Sequence, residues 1–207
     1  MSITLDGTSG ITSPAIDVTT PITVADGGTG LTTPGTSGNA LVSDGTTWSS
    51  GKQTITSGTS VSASGTSVDF TSIPSWVKRI TVMFNGVSQN SATQTMIVQV
   101  GAGSITTSGY AGSVGWTGAS TGGATQTAGF GVANAIGAAN VYHGAMTITS
   151  VGSNVWVASA SGGLSDSSFV YTGGGSITLG GTLDRLRITT VAGTATFDAG
   201  SINILYE

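Results

Sequence analysis

The chain has one histidine, no cysteine and no glutamate before its last residue, so the chemistry open to it is narrow. His143 lies in VYHGAMTIT, whose alternating apolar residues mark a half-buried strand, and a lone strand histidine reads as structural. Acid–base work would fall to eight aspartates. Asp6, Asp26 and Asp44 each precede a glycine, a context that turn chemistry explains, and Asp17, Asp69, Asp166, Asp184 and Asp198 are scattered singly. Two carboxylates flanking a glycosidic bond would hydrolyse it, but no spacing here nominates a pair. No metal-ligand motif occurs, and the strings GGTG, TGG and GGG lack the strand–loop–helix setting of a phosphate cradle. No catalytic residue, metal ligand or cofactor is expected. Non-covalent recognition remains: Tyr110, Trp116 and Phe130 stand isolated in a stretch of Gly, Ala, Ser and Thr. An aromatic face beside hydroxyls and amides suits a sugar ring, which makes these three the receptor-binding candidates; each also fits a place in a core or a subunit interface.

The elements that must carry these residues are strands. Gly, Ser and Thr supply 98 of the 207 residues, and charged residues only 7%. Solvated helix faces need Glu, Lys and Arg, whereas glycine disfavours helix interiors and threonine prefers strands. A helical or α/β fold is close to excluded. Disorder is countered by 38% hydrophobic residues and a positive mean hydropathy. Five basic residues and a net charge of −4 leave no electrostatic footprint for nucleic acid or an anionic membrane. No apolar run approaches the ~18 residues of a membrane span, and the N-terminus carries no secretory pattern, so neither membrane insertion nor export is expected.

Three regions are expected. In residues 1–50 the apolar positions are sparse, Ile3, Leu5, Ile11, Ile16 and Val18 among them, and lie between Gly- and Pro-rich turns. Short alternating pieces of this kind cannot bury a core within one chain, which predicts an extended arm or shaft ordered by association. A flexible tail is the other reading. Residues 51–66 are the most polar, a linker or a strand leading into the next part. Residues 67–207 hold seven to nine strand candidates at sandwich spacing, an antiparallel β-sandwich of jelly-roll type. Within it, Ile80, Val82 and Phe84 share one face of a strand ended by Asn85-Gly86. SSFVYTG and SITLGG read as two strands, and residues 101–140 as either a weak sheet or a long loop.

The segment ADGGTGLTTPGTSGNALVSDGTTWSS, Ala25 to Ser50, resembles a passage that recurs in bacteriophage tail-fibre and tail-associated proteins. The matching positions are Gly27, Gly28, Thr29, Gly30, Leu31, Pro34, Gly35, Gly38, Asn39, Leu41, Ser43, Asp44, Gly45, Thr46 and Trp48. The opening ITLDGTSGITSPAI and the stretch DFTSIPSWVKRITVMFNGVS are similar to such proteins too. The resemblance implies a homotrimeric virion component, with an N-terminal attachment arm that meets other virion proteins and a C-terminal knob. Ile3, Leu5, Ile11, Ile16, Val18 and Trp48 would then serve attachment and trimerisation. Trp48 would act as an apolar plug at the shaft-to-knob transition, or equally as a core residue of the knob. The expected function is a non-enzymatic short tail fibre whose knob binds a host-surface glycan or protein. The alternative is a capsid decoration or head-fibre protein docked through the arm.

Overall fold

In a computed structural model, residues 23–26, 28–33, 35, 38–52, 55–90 and 93–207 are described. The arm positions Ile3, Leu5, Ile11, Ile16 and Val18 lie outside them. The chain divides into two units between Thr54 and Ile55. The first contains a 3₁₀ turn at Val24–Asp26 and one antiparallel hairpin, β1 (Asn39–Ser43) and β2 (Trp48–Lys52). Its turn is built by Asp44, whose Oδ1 accepts the amide N–H groups of Thr46 (2.8 Å) and Thr47 (2.6 Å) while Oδ2 accepts the Thr47 hydroxyl (2.8 Å). These donors hold the Asp44 carboxyl below its ordinary range, the Thr47 amide contributing most. Leu41 and Trp48 stay exposed on this hairpin.

The second unit is all β. Its strands are β3 (Thr56–Ser57), β4 (Val61–Ser62), β5 (Ser67–Thr71), β6 (Arg79–Gln89), β7 (Gln94–Ala102), β8 (Ser104–Ile105) and β9 (Ala111–Thr117). Then follow β10 (Gly122–Gln126), β11 (Phe130–Ile136), β12 (Tyr142–Gly152), β13 (Val155–Leu164), β14 (Val170–Thr178), β15 (Arg185–Thr190) and β16 (Phe197–Tyr206). The large sheet runs β10-β9-β14-β13-β12-β6-β16-β3, with β4 also on β16; the small sheet runs β11-β7-β15-β5, with β8 on β7. Every pairing is antiparallel. Between the sheets lies one core: Ile80, Val82 and Phe84 of β6, Met146 and Ile148 of β12, and Ile202 and Ile204 of β16 share it with Val98 of β7 and Leu186 and Ile188 of β15. The period-two alternation of these strands places their apolar residues inward.

Several details differ from the sequence expectations. Among the described residues, positions 67–207 hold twelve strands where seven to nine are expected, and with β3 and β4 the second unit has fourteen, five of them two to five residues long. Consecutive strands change sheet at β5→β6→β7, β10→β11→β12 and β14→β15→β16, whereas β12–β13–β14 is a meander within one sheet. Asn85-Gly86 does not end β6. Gly86 has φ +67°, and the registers with β12 and β16 both slip there, so the pair forms a bulge inside a longer strand. His143 Nδ1 accepts the Gly86 N–H at 3.2 Å, a structural task for the one histidine. SSFVYTG and SITLGG yield a single strand, β14, that runs through Gly173, Gly174 and Gly175. Its glycines serve close approach: a Cβ on Gly173 would lie 2.1 Å from the Gly131 carbonyl oxygen of β11, so the two sheets touch backbone to backbone. Residues 101–140 are mostly sheet, supplying β8 to β11, and residues 55–66 run beside β16 as β3 and β4.

Candidate functional site

Where the small sheet ends, the large sheet overhangs it, and its inward residues line an open cleft of ≈ 230 Å³. Trp116 of β9 and Tyr171 of β14 are register partners on the inner face, and Leu164 closes the end of β13. Phe169, just before β14, stands two residues from Tyr171 with its ring 6.5 Å away. The rim carries Asn134 and Ala135 from β11, Asn140 from the β11–β12 connection and Ser167 from the β13–β14 connection.

Local backbone explains each placement. Gly122 of β10 faces Trp116 across the ladder, and a Cβ there would lie 2.3 Å from the indole Cζ2. The missing side chain lets the indole lie flat against the edge strand while it lines the cleft. On the opposite side β11 bulges between Gly131 and Ala133 and again before Ile136, and Ala135 adopts φ +49°. A left-handed alanine costs energy that the surrounding structure must hold, and such residues concentrate at functional sites. Asn134 Oδ1 accepts the Thr95 hydroxyl at 2.8 Å, which fixes the amide at the rim.

Asp166 clamps the two rim loops together. Its Oδ1 accepts the Val141 N–H and its Oδ2 the Asn140 Nδ2–H, both at 3.0 Å, while Asn140 Oδ1 accepts the Gly137 N–H at 2.7 Å. The Val141 amide, above all, holds the Asp166 carboxyl below its ordinary range. Burial raises the Tyr171 phenol, and the neighbouring Asp166 charge adds to that. Behind Tyr171 stands Tyr142, fully buried, its ring edge-on to those of Tyr171 and Phe84 and its hydroxyl without a protein partner. Burial pushes that phenol up strongly.

Of the three aromatics singled out in the sequence, Trp116 alone lines this cleft. Tyr110 and Phe130 are core residues, 3% and 0% exposed, packed edge to face with centroids 5.0 Å apart. The Tyr110 hydroxyl accepts the Val100 N–H (2.8 Å) and donates to the Thr106 carbonyl (3.0 Å), and burial pushes its pKa up to about 12. Neither ring offers a face to a ligand. Trp48 lies half exposed on the first unit's hairpin. Phe169, Tyr171, Asn134, Asn140 and Ser167 were not anticipated; the spacing Phe169-x-Tyr171, two rings on one side of an extended segment, is the signal that marks two of them.

Two other surface features contrast with the cleft. A recess of ≈ 290 Å³ on the small sheet is lined by Thr66, Gln99, Thr189, Thr190 and Arg187 and has no aromatic wall. There Arg187 is held by both oxygens of Asp69 at 2.7 Å. An exposed Trp76 leans on Tyr206 at 5.8 Å, near Arg79 and its partner Glu207. Among the described residues, no three His, Cys, Asp or Glu side chains gather as metal ligands would. No protein-family model, curated protein or solved structure matches the chain.

Proposed function

We propose that this chain is a non-enzymatic structural protein of a phage virion, a short homotrimeric tail fibre whose β-sandwich attaches to a host-surface glycan. The cleft at the open end of the sandwich carries this reading. Trp116 and Phe169 supply half-buried ring faces over a floor made by the buried Tyr171, and Asn134, Asn140 and Ser167 supply amides and a hydroxyl beside them. That combination matches a sugar, whose C–H face packs on an aromatic ring while its hydroxyls seek polar partners at the edge. Its volume lies below the roughly 300–1,000 Å³ of drug-sized pockets, which suits one ring at a chain end.

The virion part of the proposal rests on the resemblance of residues 25–50 and 69–88 and on the first unit's hairpin. A lone two-stranded hairpin is marginal in water, and this one leaves Leu41 and Trp48 exposed, so strands of other copies would complete it.

Binding of purified full-length protein to host cells and to surface glycan released from them tests the reading. Trp116→Ala should lower binding at least about tenfold, the worth of one lost aromatic stack of ~1.4 kcal/mol, while the strand signal in circular dichroism stays unchanged. Trp76→Ala, the exposed ring outside the cleft, should bind as the unaltered protein does. Equal binding by the Trp116 variant would overturn the assignment, and a stable monomer in light scattering would overturn the trimer.

A further inference from the structure

The charge around the cleft carries a second step, which rests on the glycan reading. No charged side chain lines the cleft itself; the carboxylate beside it is that of Asp166, whose Oδ2 accepts the Nδ2–H of the lining Asn140 at 3.0 Å and whose sequence neighbour Ser167 stands at the rim. No lysine or arginine lines it. The cations of this unit are remote or already paired. Lys78 and Arg79 stand opposite Ser150 and Thr149, at least seven residues along β12 from Tyr142, about 23 Å at ~3.3 Å per residue. Arg185 and Arg187 lie on β15, separated from β11 by β7, and are bound to Asp184 and Asp69.

An anionic group entering the cleft would shed part of its hydration beside a fixed negative charge and gain no counter-charge. A neutral ring loses nothing by the same arrangement. We infer that the cleft selects uncharged sugar residues, hexoses or N-acetylhexosamines, and rejects uronates, sialic acids and phosphorylated sugars. The specificity comes from repulsion at Asp166 as much as from attraction at the rings. The carboxylate thus has two tasks: it ties the rim loops together and it filters ligands by charge.

The test pairs each of a panel of neutral hexoses and N-acetylhexosamines with its own uronate or 6-phosphate, titrated into the full-length protein and read by Trp fluorescence and NMR line broadening. For any ring that binds, the acidic partner should bind at least about fivefold more weakly, the effect of a neighbouring like charge at a partly solvated site, and added salt should narrow the gap. Ser167→Lys, at an exposed rim position, should close or reverse that gap. Equal or tighter binding of acidic partners overturns the charge filter. If Trp116→Ala abolishes that acidic binding, the glycan reading survives while the filter falls. If no member of the panel binds, both fall.

Discussion

Replacing Gly173 by alanine tests the backbone contact between the sheets. The new Cβ would sit 2.1 Å from the Gly131 carbonyl oxygen, 3.2 Å from the Gly131 carbonyl carbon and 3.5 Å from the Ser113 oxygen. A carbon and a carbonyl oxygen rest about 3.3 Å apart, so relief needs ~1.2 Å of separation between β14 and β11. Neither colliding group can rotate away, because both belong to paired main chain. Overpacking a filled interior costs about 1–3 kcal/mol, and a collision of backbone with backbone belongs at the top of that range. Alanine returns roughly 0.4–1 kcal/mol by narrowing the unfolded ensemble, which leaves a loss of about 2–2.5 kcal/mol. In a unit of this size that lowers the melting temperature by about 4–10 °C. Gly174→Ala is the matched control: it lies on the other face of the same strand, with its nearest contact 3.3 Å away, and should change stability by less than about 1 kcal/mol. Urea and thermal melts followed by circular dichroism measure both. A Gly173 variant as stable as its Gly174 counterpart would refute the contact and the sheet spacing derived from it.

Gly122→Ala should tilt the Trp116 indole off the edge strand, shifting tryptophan fluorescence and weakening glycan binding several-fold while the melting temperature changes little. Tyr110→Phe removes the hydroxyl that accepts the Val100 N–H and leaves that buried donor unpaired; it should cost about 1–3 kcal/mol in denaturant melts and leave glycan binding unchanged. The depressed carboxyl of Asp166 favours the folded rim above its unfolded value and loses that contribution as the pH falls through the lower, folded one. Amide exchange at Val141 should therefore accelerate under acid below the usual carboxylate range, and Asp166→Asn should speed it at neutral pH while flattening the acid dependence.

Alternation made the core strands legible. Ile80-x-Val82-x-Phe84, Leu186-x-Ile188 and Ile202-x-Ile204 all point inward, as a period of two requires. What escaped were the strands whose inward positions are small. β9, β10 and the middle of β14 carry Gly112, Gly115, Gly122, Gly123 and Gly173–175, and glycine in a sequence reads as punctuation. Here it is a spacing device, visible only once the partner backbone is in place. Asn85-Gly86 misled for a related reason: its left-handed glycine fits a hairpin turn and a bulge equally, and the longer pairing of β6 selected the bulge. At the site, Trp116 was legible by residue type alone. Tyr110 and Phe130 share that type, but register turns them into the core against each other, and nothing local distinguishes the two outcomes.

The contact at Gly173 and the cleft are parts of one device. Gly173 and its register partner Val114 form the inward row that Gly131 presses against; the next inward row is Tyr171 and Trp116. Packed sheets normally stand about 10 Å apart, and where backbone meets backbone there is no depth to bury two large rings side by side. β11 resolves the conflict by bulging immediately after Gly131 and passing through the strained Ala135 just before its last residue, Ile136, which leaves Trp116 half-buried at the mouth. The close contact thus sets the height at which the buried Tyr171 and the half-buried Trp116 stand at the edge of the core. Gly173→Ala should therefore weaken ligand binding even at temperatures where the variant is wholly folded, because parting the sheets shifts β14 and with it Tyr171. Gly174→Ala, which leaves the spacing intact, should bind normally; if both variants bind alike, the rings owe their position to something other than the glycine contact.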